Sequence, residues 1–519
     1  MKANLKNNLL NPITAAGIFL FIITSIFTTK EPFYLMLTAA QLIFVPLMLQ
    51  LIIQINRKHV VFTWVAMTAV FLLHILSSTA AMQIGLALIY LIFTFFIAFY
   101  GVLRFFKRGF TNWPEISIDV GMVYLFIGGL WFFAFIAGID TGFSPLITWL
   151  TAIHFHYSAF LLPISLGFFG RLHQSKMYNI SIPIILSGPM LVAIGITFWP
   201  LLEVISVLLY IFAIYTLIVL SFQTRFASRA QAVCVRLSYS ALGVSILFSL
   251  LYAANRAFGK WGVSIDFMLT FHGFLNCVLF GFAGVMGWVL APPESKHAAW
   301  SFPVSRIRGK LKGEGEPVPG LVADLSDYVK IKGLSPSIVH FYEHTNQYQL
   351  VASVKWAAWF KPFALCYKLL SNRMQQLNLP FSPKSVEMTG EILAVNPLLD
   401  GRQNPRVWIR KTGKNYVFKA IYSQHETAGR TYMNIALPLP FSTMIGILQL
   451  DESDGTLILS SEGTGDPGVY LAAGKYLFKL PLTEYFTIKA ARDESLTALH
   501  NMRIFGVTFL RIDYKIDRK

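Results

Sequence analysis

Over the first 292 positions, apolar residues gather in long runs separated by short polar joints. A helix needs about 20 mostly apolar residues to cross the hydrocarbon of a bilayer. Ten runs of that kind stand out, at 10–27, 33–55, 60–76, 82–103, 118–138, 145–169, 180–199, 201–222, 237–254 and 267–290. The third is short. The seventh and eighth meet at Trp199-Pro200-Leu201, which requires a tight hairpin if both span.

Ala291-Pro292-Pro293 stops the last run, and a Pro/Gly/Lys-rich stretch follows. From Lys384 onward the period becomes two, the mark of strands. Candidate strands lie at 386–395, 407–411, 416–422, 432–437, 444–450, 457–461, 470–478, 486–491 and 505–516, with turn signals at Asp454-Gly455 and Thr412-Gly413-Lys414. The pattern predicts an α-helical polytopic membrane bundle of about ten transmembrane helices (1–292), a linker (293–320) and a cytoplasmic α+β domain (321–519). An antiparallel sheet of seven to nine strands dominates that domain, with a helix or two before it. Such a sheet either curves around a cavity for a lipid or other apolar ligand or has a filled core.

Charge adds the topology. The net charge is +17, and only 13% of residues are charged. With the N-terminus inside, the cytoplasmic joints carry Lys2, Lys6, Arg57, Lys58, Arg104, Lys107, Arg108, Arg171, Lys176, Arg225, Arg229 and Arg236. The outer joints carry only Lys30, Arg256 and Lys260. This alternation follows the positive-inside rule and places both termini in the cytoplasm of a plasma-membrane protein. The first apolar run has no small-residue cleavage pattern after it. No basic stripe or nucleic-acid motif appears, so the partners expected are the lipid bilayer and a small molecule or lipid, with no nucleic acid. Cys234, Cys277 and Cys366 are isolated and have neither disulfide nor metal spacing.

Leu150 to Ser158 places two histidines inside the sixth run. Imidazoles at membrane depth face a protein interior or a wet cavity, because hydrocarbon offers them no partner. His154 lies roughly 13 Å along its helix from Pro145, and His272 roughly 12 Å from Ser264, a similar depth. His154, Tyr157 and Ser158 share one helical face, as do His272 and Asn276. His156, two residues on from His154, points elsewhere. Three functional readings fit: a proton relay, a metal or haem site with His154, His156 and His272 as candidate ligands, or a polar substrate pocket. The bland alternative is that each histidine bonds a neighbouring helix. Asp119, Asp140, Glu203 and Asp266 fall near run ends, where solvation is expected.

In the tail, Ser335-Pro336 marks a helix start. That helix contains His340-Phe-Tyr-Glu343-His344, the H-x-x-E-H spacing of one class of zinc peptidase. Five residues are weak support, and a surface helix is the plainer reading. The stretch 355–377 is basic and amphipathic, with Trp356, Trp359 and Phe360 beside Lys355, Lys361, Lys368 and Arg373, a composition suited to a membrane interface or to packing on the sheet. No nucleophile triad, phosphate loop or nucleotide motif is present.

At 150–158, at His272-Gly-Phe-Leu-Asn276, and from Phe341-Tyr-Glu-His-Thr345 through Val354-Lys-Trp356, the chain resembles the YndJ-like family of bacterial membrane proteins of the Bacillus type. The resemblance spans nearly the whole chain. It implies a bacterial, multi-pass, transporter-like protein and brings no catalytic residues with it. The expectation is a transporter-like protein with a polar intramembrane site. The alternatives are a membrane tether for a lipid-binding β-domain and a membrane enzyme with a histidine-bound metal.

Overall fold

The computed structural model describes residues 11–28, 31–53, 57–76, 79–259, 262–296, 300–311, 315–374 and 376–519. Lys2, Lys6, Lys30 and Lys260 of the charge argument lie outside the described residues. The chain divides into two compact units, one helical and one built on a sheet.

The helical unit contains α1 (Pro12–Phe27), α2 (Pro32–Gln50), α3 (Arg57–Ile75), α4 (Ala80–Arg108), α5 (Trp113–Ala137), α6 (Pro145–Leu172), α7 (Lys176–Phe198), α8 (Pro200–Gln223), α9 (Arg229–Phe258) and α10 (Ile265–Leu290). Among the described residues, eight of these, α2 and α4 to α10, are long and apolar enough to cross a membrane. The runs expected at 10–27 and 60–76 form shorter apolar helices.

Local chemistry sets the ends. The side chains of Asn112, Ser144, Ser175, Ser228 and Ser264 each accept a backbone N–H of the first turn that follows. Gly138 and Gly259 close α5 and α9 in the left-handed conformation. Trp199 alone connects α7 to α8. Gly195 there lies against the backbone of Glu203, with no room for a Cβ, so the two helices meet closely at the hairpin. Pro189, inside α7, has no N–H to offer Ile185, and the Tyr210 hydroxyl donates to that carbonyl instead at 3.3 Å.

Two of the four carboxylates expected to be solvated are not. Asp119 is 2% exposed and Glu203 is 3% exposed, and both are ion-paired, Asp119 to Arg104 and Glu203 to Arg256. Asp140 and Asp266 are exposed. Helical periodicity locates a residue near a helix end but says nothing of the basic side chain that a second helix brings to it.

The other unit has twelve antiparallel strands among the described residues: β1 (Tyr348–Trp356), β2 (Val386–Ala394), β3 (Gln403–Thr412), β4 (Asn415–Thr427), β5 (Arg430–Leu439), β6 (Ser442–Ser453), β7 (Thr456–Ser460), β8 (Gly468–Ala473), β9 (Tyr476–Lys479), β10 (Leu482–Ala490), β11 (Leu496–Ile504) and β12 (Val507–Arg518). This corrects the seven to nine expected. Strands β1 and β11 were not foreseen, and 470–478 is two strands joined by a tight turn at Gly474.

The sheet closes on itself. β5 pairs with β6, and β1 pairs with β12 from Tyr348 opposite Arg518 to Trp356 opposite Leu510. The ring runs β1-β2-β3-β4-β5-β6-β7-β10-β11-β12 and back to β1, with β8 and β9 as a side hairpin on β6. Closure leaves the ring itself without a free edge. Trp408, Leu448, Leu459 and Ile488 share the inner core with Leu321, Phe341 and Tyr342, which belong to helix α11 (Pro336–Glu343) and the turns before it. Alternate residues face outward, and Phe302, Val304 and Ile307, from the stretch expected as a linker, pack over Val407, Ile421, Ile445 and Tyr470.

The basic amphipathic stretch is shorter as a helix than 355–377. β1 runs through Trp356, and α12 begins at Lys361 and ends at Met374. Phe363, Leu369 and Leu370 are exposed on it.

Candidate functional site

Helices α6 and α10 carry the intramembrane histidines, and neither helix is regular there. α6 widens into a π-helical turn over Tyr157–Leu161, and α10 does so over Met268–His272 and Leu275–Phe282. Such wide turns recur at functional sites, where the extra residue re-aims the side chains around it.

The two histidines meet. The ring centroids of His154 and His272 are 6.2 Å apart, with their planes inclined by 29°. His154 Nδ1 lies 2.7 Å from the Leu150 carbonyl oxygen. A carbonyl only accepts, so in the neutral ring this nitrogen carries the hydrogen and Nε2 keeps its lone pair. His272 Nδ1 is 3.2 Å from the Ser245 carbonyl and 2.8 Å from its hydroxyl, which gives the same tautomer. Among the described residues neither Nε2 has a hydrogen-bond partner.

Asn276 completes the cluster. Its Nδ2 donates to Ser245 Oγ at 2.6 Å and to the His272 carbonyl at 2.8 Å. These residues and Ser158 line two adjoining cavities, of about 400 Å³ and 220 Å³, between α6, α7, α8, α9 and α10. The remaining lining is largely apolar, with Val192, Val207 and Leu269 among its residues. Tyr157 borders the larger cavity, and its hydroxyl donates to the Met36 carbonyl at 2.8 Å and lies 3.0 Å from Cys277 Sγ.

His156 does not join this group. It is fully buried against Gly128, on the α5 side. Its Nδ1–H donates to the Ala152 carbonyl at 2.8 Å, and its Nε2 accepts the Tyr90 hydroxyl at 2.8 Å. Both ring nitrogens are engaged, so no lone pair is left for a metal. The described residues hold no group of three or more His, Cys, Asp or Glu side chains arranged around a common point for a metal. Two imidazole nitrogens fall short of the three protein ligands that even an open zinc site uses.

The H-x-x-E-H helix uses Glu343 and His340 within the fold, while the buried His344 Nδ1 has no partner among the described residues. Glu343 accepts the Leu325 backbone N–H at 3.0 Å, His340 Nδ1 bonds the Tyr348 hydroxyl, and the His340 and His344 rings stack at 4.6 Å. This constellation fastens a turn of chain to the barrel.

Sequence reasoning missed one wall of the cavity. Ser245, Ser249, Tyr252 and Arg256 of α9 all line it. Their spacing of four, three and four residues is a single helical face. A polar stripe that starts inside the apolar run at 237–254 and ends just past it, at Arg256, was the signal.

A family model described as YndJ-like protein matches residues 35–280. The chain is 38% identical over 458 residues to a Bacillus subtilis (strain 168) protein described as an uncharacterized membrane protein YndJ, and the alignment covers 83% of each chain. No solved structure matches.

Proposed function

The chain belongs to the YndJ-like family, and from that premise we propose that this multi-pass membrane protein is transporter-like. Its cavity takes a mostly apolar small molecule or lipid and holds the molecule's polar end on His154, His272 and Asn276. The observation that carries this reading is the pair of facing imidazoles with unused Nε2 lone pairs in a cavity of about 400 Å³. Cavities of about 300–1,000 Å³ with apolar walls and a few converging polar groups are the usual form of a small-molecule site.

These tautomers narrow the ligand. Two Nε2 acceptors side by side suit a hydrogen-bond donor, such as a hydroxyl or an amine, and an apolar body fills the rest. Ser245 holds His272 in place, and the Leu150 carbonyl holds His154. Both termini lie in the cytoplasm of the plasma-membrane protein on the charge argument given above.

The test starts from full-length protein purified in mild detergent. Mass spectrometry identifies molecules that co-purify, and His154→Ala and His272→Ala are compared with wild type. A stoichiometric hydroxyl- or amine-bearing amphiphile, lost from both variants, is expected, as is its flux in proteoliposomes. Equal occupancy in all three proteins removes the histidines from the function.

A further inference from the structure

Inside the barrel lies a cation with no anion beside it among the described residues. Arg410 on β3 is 8% exposed. Its guanidinium carbon is 3.6 Å from the Trp408 ring centroid and 4.4 Å from that of Phe418. Aromatic rings supply an attractive field but no oxygen for the N–H groups. A guanidinium has five such donors. Among the described residues, Nη1 donates to the Tyr514 hydroxyl at 3.3 Å and the guanidinium also bonds the Tyr422 hydroxyl, while the buried Nε has no partner. Among the described residues no carboxylate pairs with it, and Glu484 on β10 lies instead 3.6 Å from His500 Nε2. A charge taken out of water is costly unless it is paired, so a guanidinium placed here favours an anion beside it.

There is room for an anion beside the guanidinium. Arg410, Trp408, Tyr422, Tyr514 and Phe486 border a cavity of about 60 Å³ in the lumen. By this measure a water molecule needs about 10–15 Å³, so the space admits a carboxylate and a few carbons, well short of a lipid. The polar atoms around it are donors. Burial pushes the Tyr422 phenol up to about 12, against the pull of the Arg410 charge, so its hydroxyl keeps its proton at any physiological pH. Tyr514 already accepts from Arg410, which leaves its own hydrogen to give. One guanidinium balances one negative charge, and its planar fork matches a carboxylate side-on.

We propose that the barrel lumen is a binding site for the carboxylate of a small organic acid, held by the Arg410 guanidinium and by the hydroxyls of Tyr422 and Tyr514. This site is separate from the intramembrane cavity and does not depend on the reading given for it.

Equilibrium dialysis of the full-length protein in detergent against labelled butyrate and labelled laurate tests the proposal. Saturable one-to-one binding of butyrate is expected, weakened at least tenfold by Arg410→Met and several-fold by Tyr514→Phe. Lys411→Met removes a positive charge from the next position on the same strand and is expected to leave binding unchanged. Absence of saturable butyrate binding to wild type overturns the proposal, whatever the variants do. So does butyrate binding that Arg410→Met leaves intact, or binding of laurate without butyrate.

Discussion

Glu203 and Arg256 form an ion pair at 2.8 Å, with both side chains lining the larger intramembrane cavity. They join the start of α8 to the end of α9, and Arg256 also donates to the Ile196 carbonyl of α7 at 3.1 Å. The two partners differ in burial: the Glu203 side chain is 5% exposed and that of Arg256 is 31% exposed. Removing the arginine therefore strands a buried carboxylate, whereas neutralising the glutamate leaves a cation that still reaches water. Arg256→Met is expected to cost about 3 kcal/mol, the low end for breaking a buried pair, and Glu203→Gln clearly less. Thermal unfolding in detergent reads the order, and equal losses would contradict it.

His154 and His156 are two residues apart and do different work. His156 fills a closed space and takes the Tyr90 hydroxyl, so His156→Ala opens a cavity and leaves a buried donor unsatisfied. A loss of about 3 kcal/mol is expected. His154 faces the cavity and bonds only a carbonyl of its own helix. His154→Ala is expected to stay within about 1 kcal/mol of wild type in stability, with its effect on ligand occupancy instead. Melting temperatures of the two single variants decide this, and a large loss in His154→Ala would recast that residue as structural.

Glu115 collects the charges at the start of α5. It accepts Arg171 Nε at 2.8 Å, Arg104 Nη2 at 2.8 Å and the Ser295 hydroxyl at 2.8 Å. Arg171 is 8% exposed, so Glu115→Gln leaves a buried guanidinium without its main counter-charge. The expected cost is about 3–5 kcal/mol. Pairing the change with Arg171→Met is expected to recover more than about 1 kcal/mol relative to additivity. Strictly additive melting shifts would show that the two side chains do not depend on each other.

The parts of this architecture legible in the sequence are those written in local chemistry. The Pro145 start of α6 and the Trp199-Pro200 hairpin are set by capping and by proline, which act within a few residues, whereas α5 starts at Trp113, ahead of the run expected at 118–138. Relative depth along two helices sufficed to put His154 and His272 at one level, but their facing each other depends on helix rotation, which the wide turns at 157–161 and 268–272 alter. Nothing local announces a π turn, because it adds one residue to a hydrogen-bond ring without a distinctive residue type. The barrel was less legible for a similar reason. Ala428-Gly429 and Phe505-Gly506 turn with both residues at positive φ, yet lack the Asn or Asp that usually marks such a turn. β11 alternates Leu496, Ala498, His500 and Met502 on one face, too weak a hydrophobic signal to read as a strand. Closure rests on β1 meeting β12, a pairing across more than 150 positions.

His425 gives the barrel a pH dependence of definite sign. The ring lies between Phe302 and Tyr432, at 5.3 and 5.4 Å, and its Nε2 is 3.3 Å from Asp466 Oδ2. Burial pushes the imidazole below its ordinary value; the Asp466 carboxylate works the other way, and burial wins. The folded state thus binds this proton less readily than the unfolded chain. Stability from the neutral ring is complete above the unfolded value, about 6.5, and is lost as pH falls from there towards the lower folded value. The barrel transition of wild type is therefore expected to move to lower temperature between about pH 7.5 and about pH 5.5. His425→Phe keeps an aromatic ring between its two neighbours and removes the titration, so its melting temperature is expected to fall less over the same interval. An equal pH slope in the two proteins would assign the acid sensitivity to other groups.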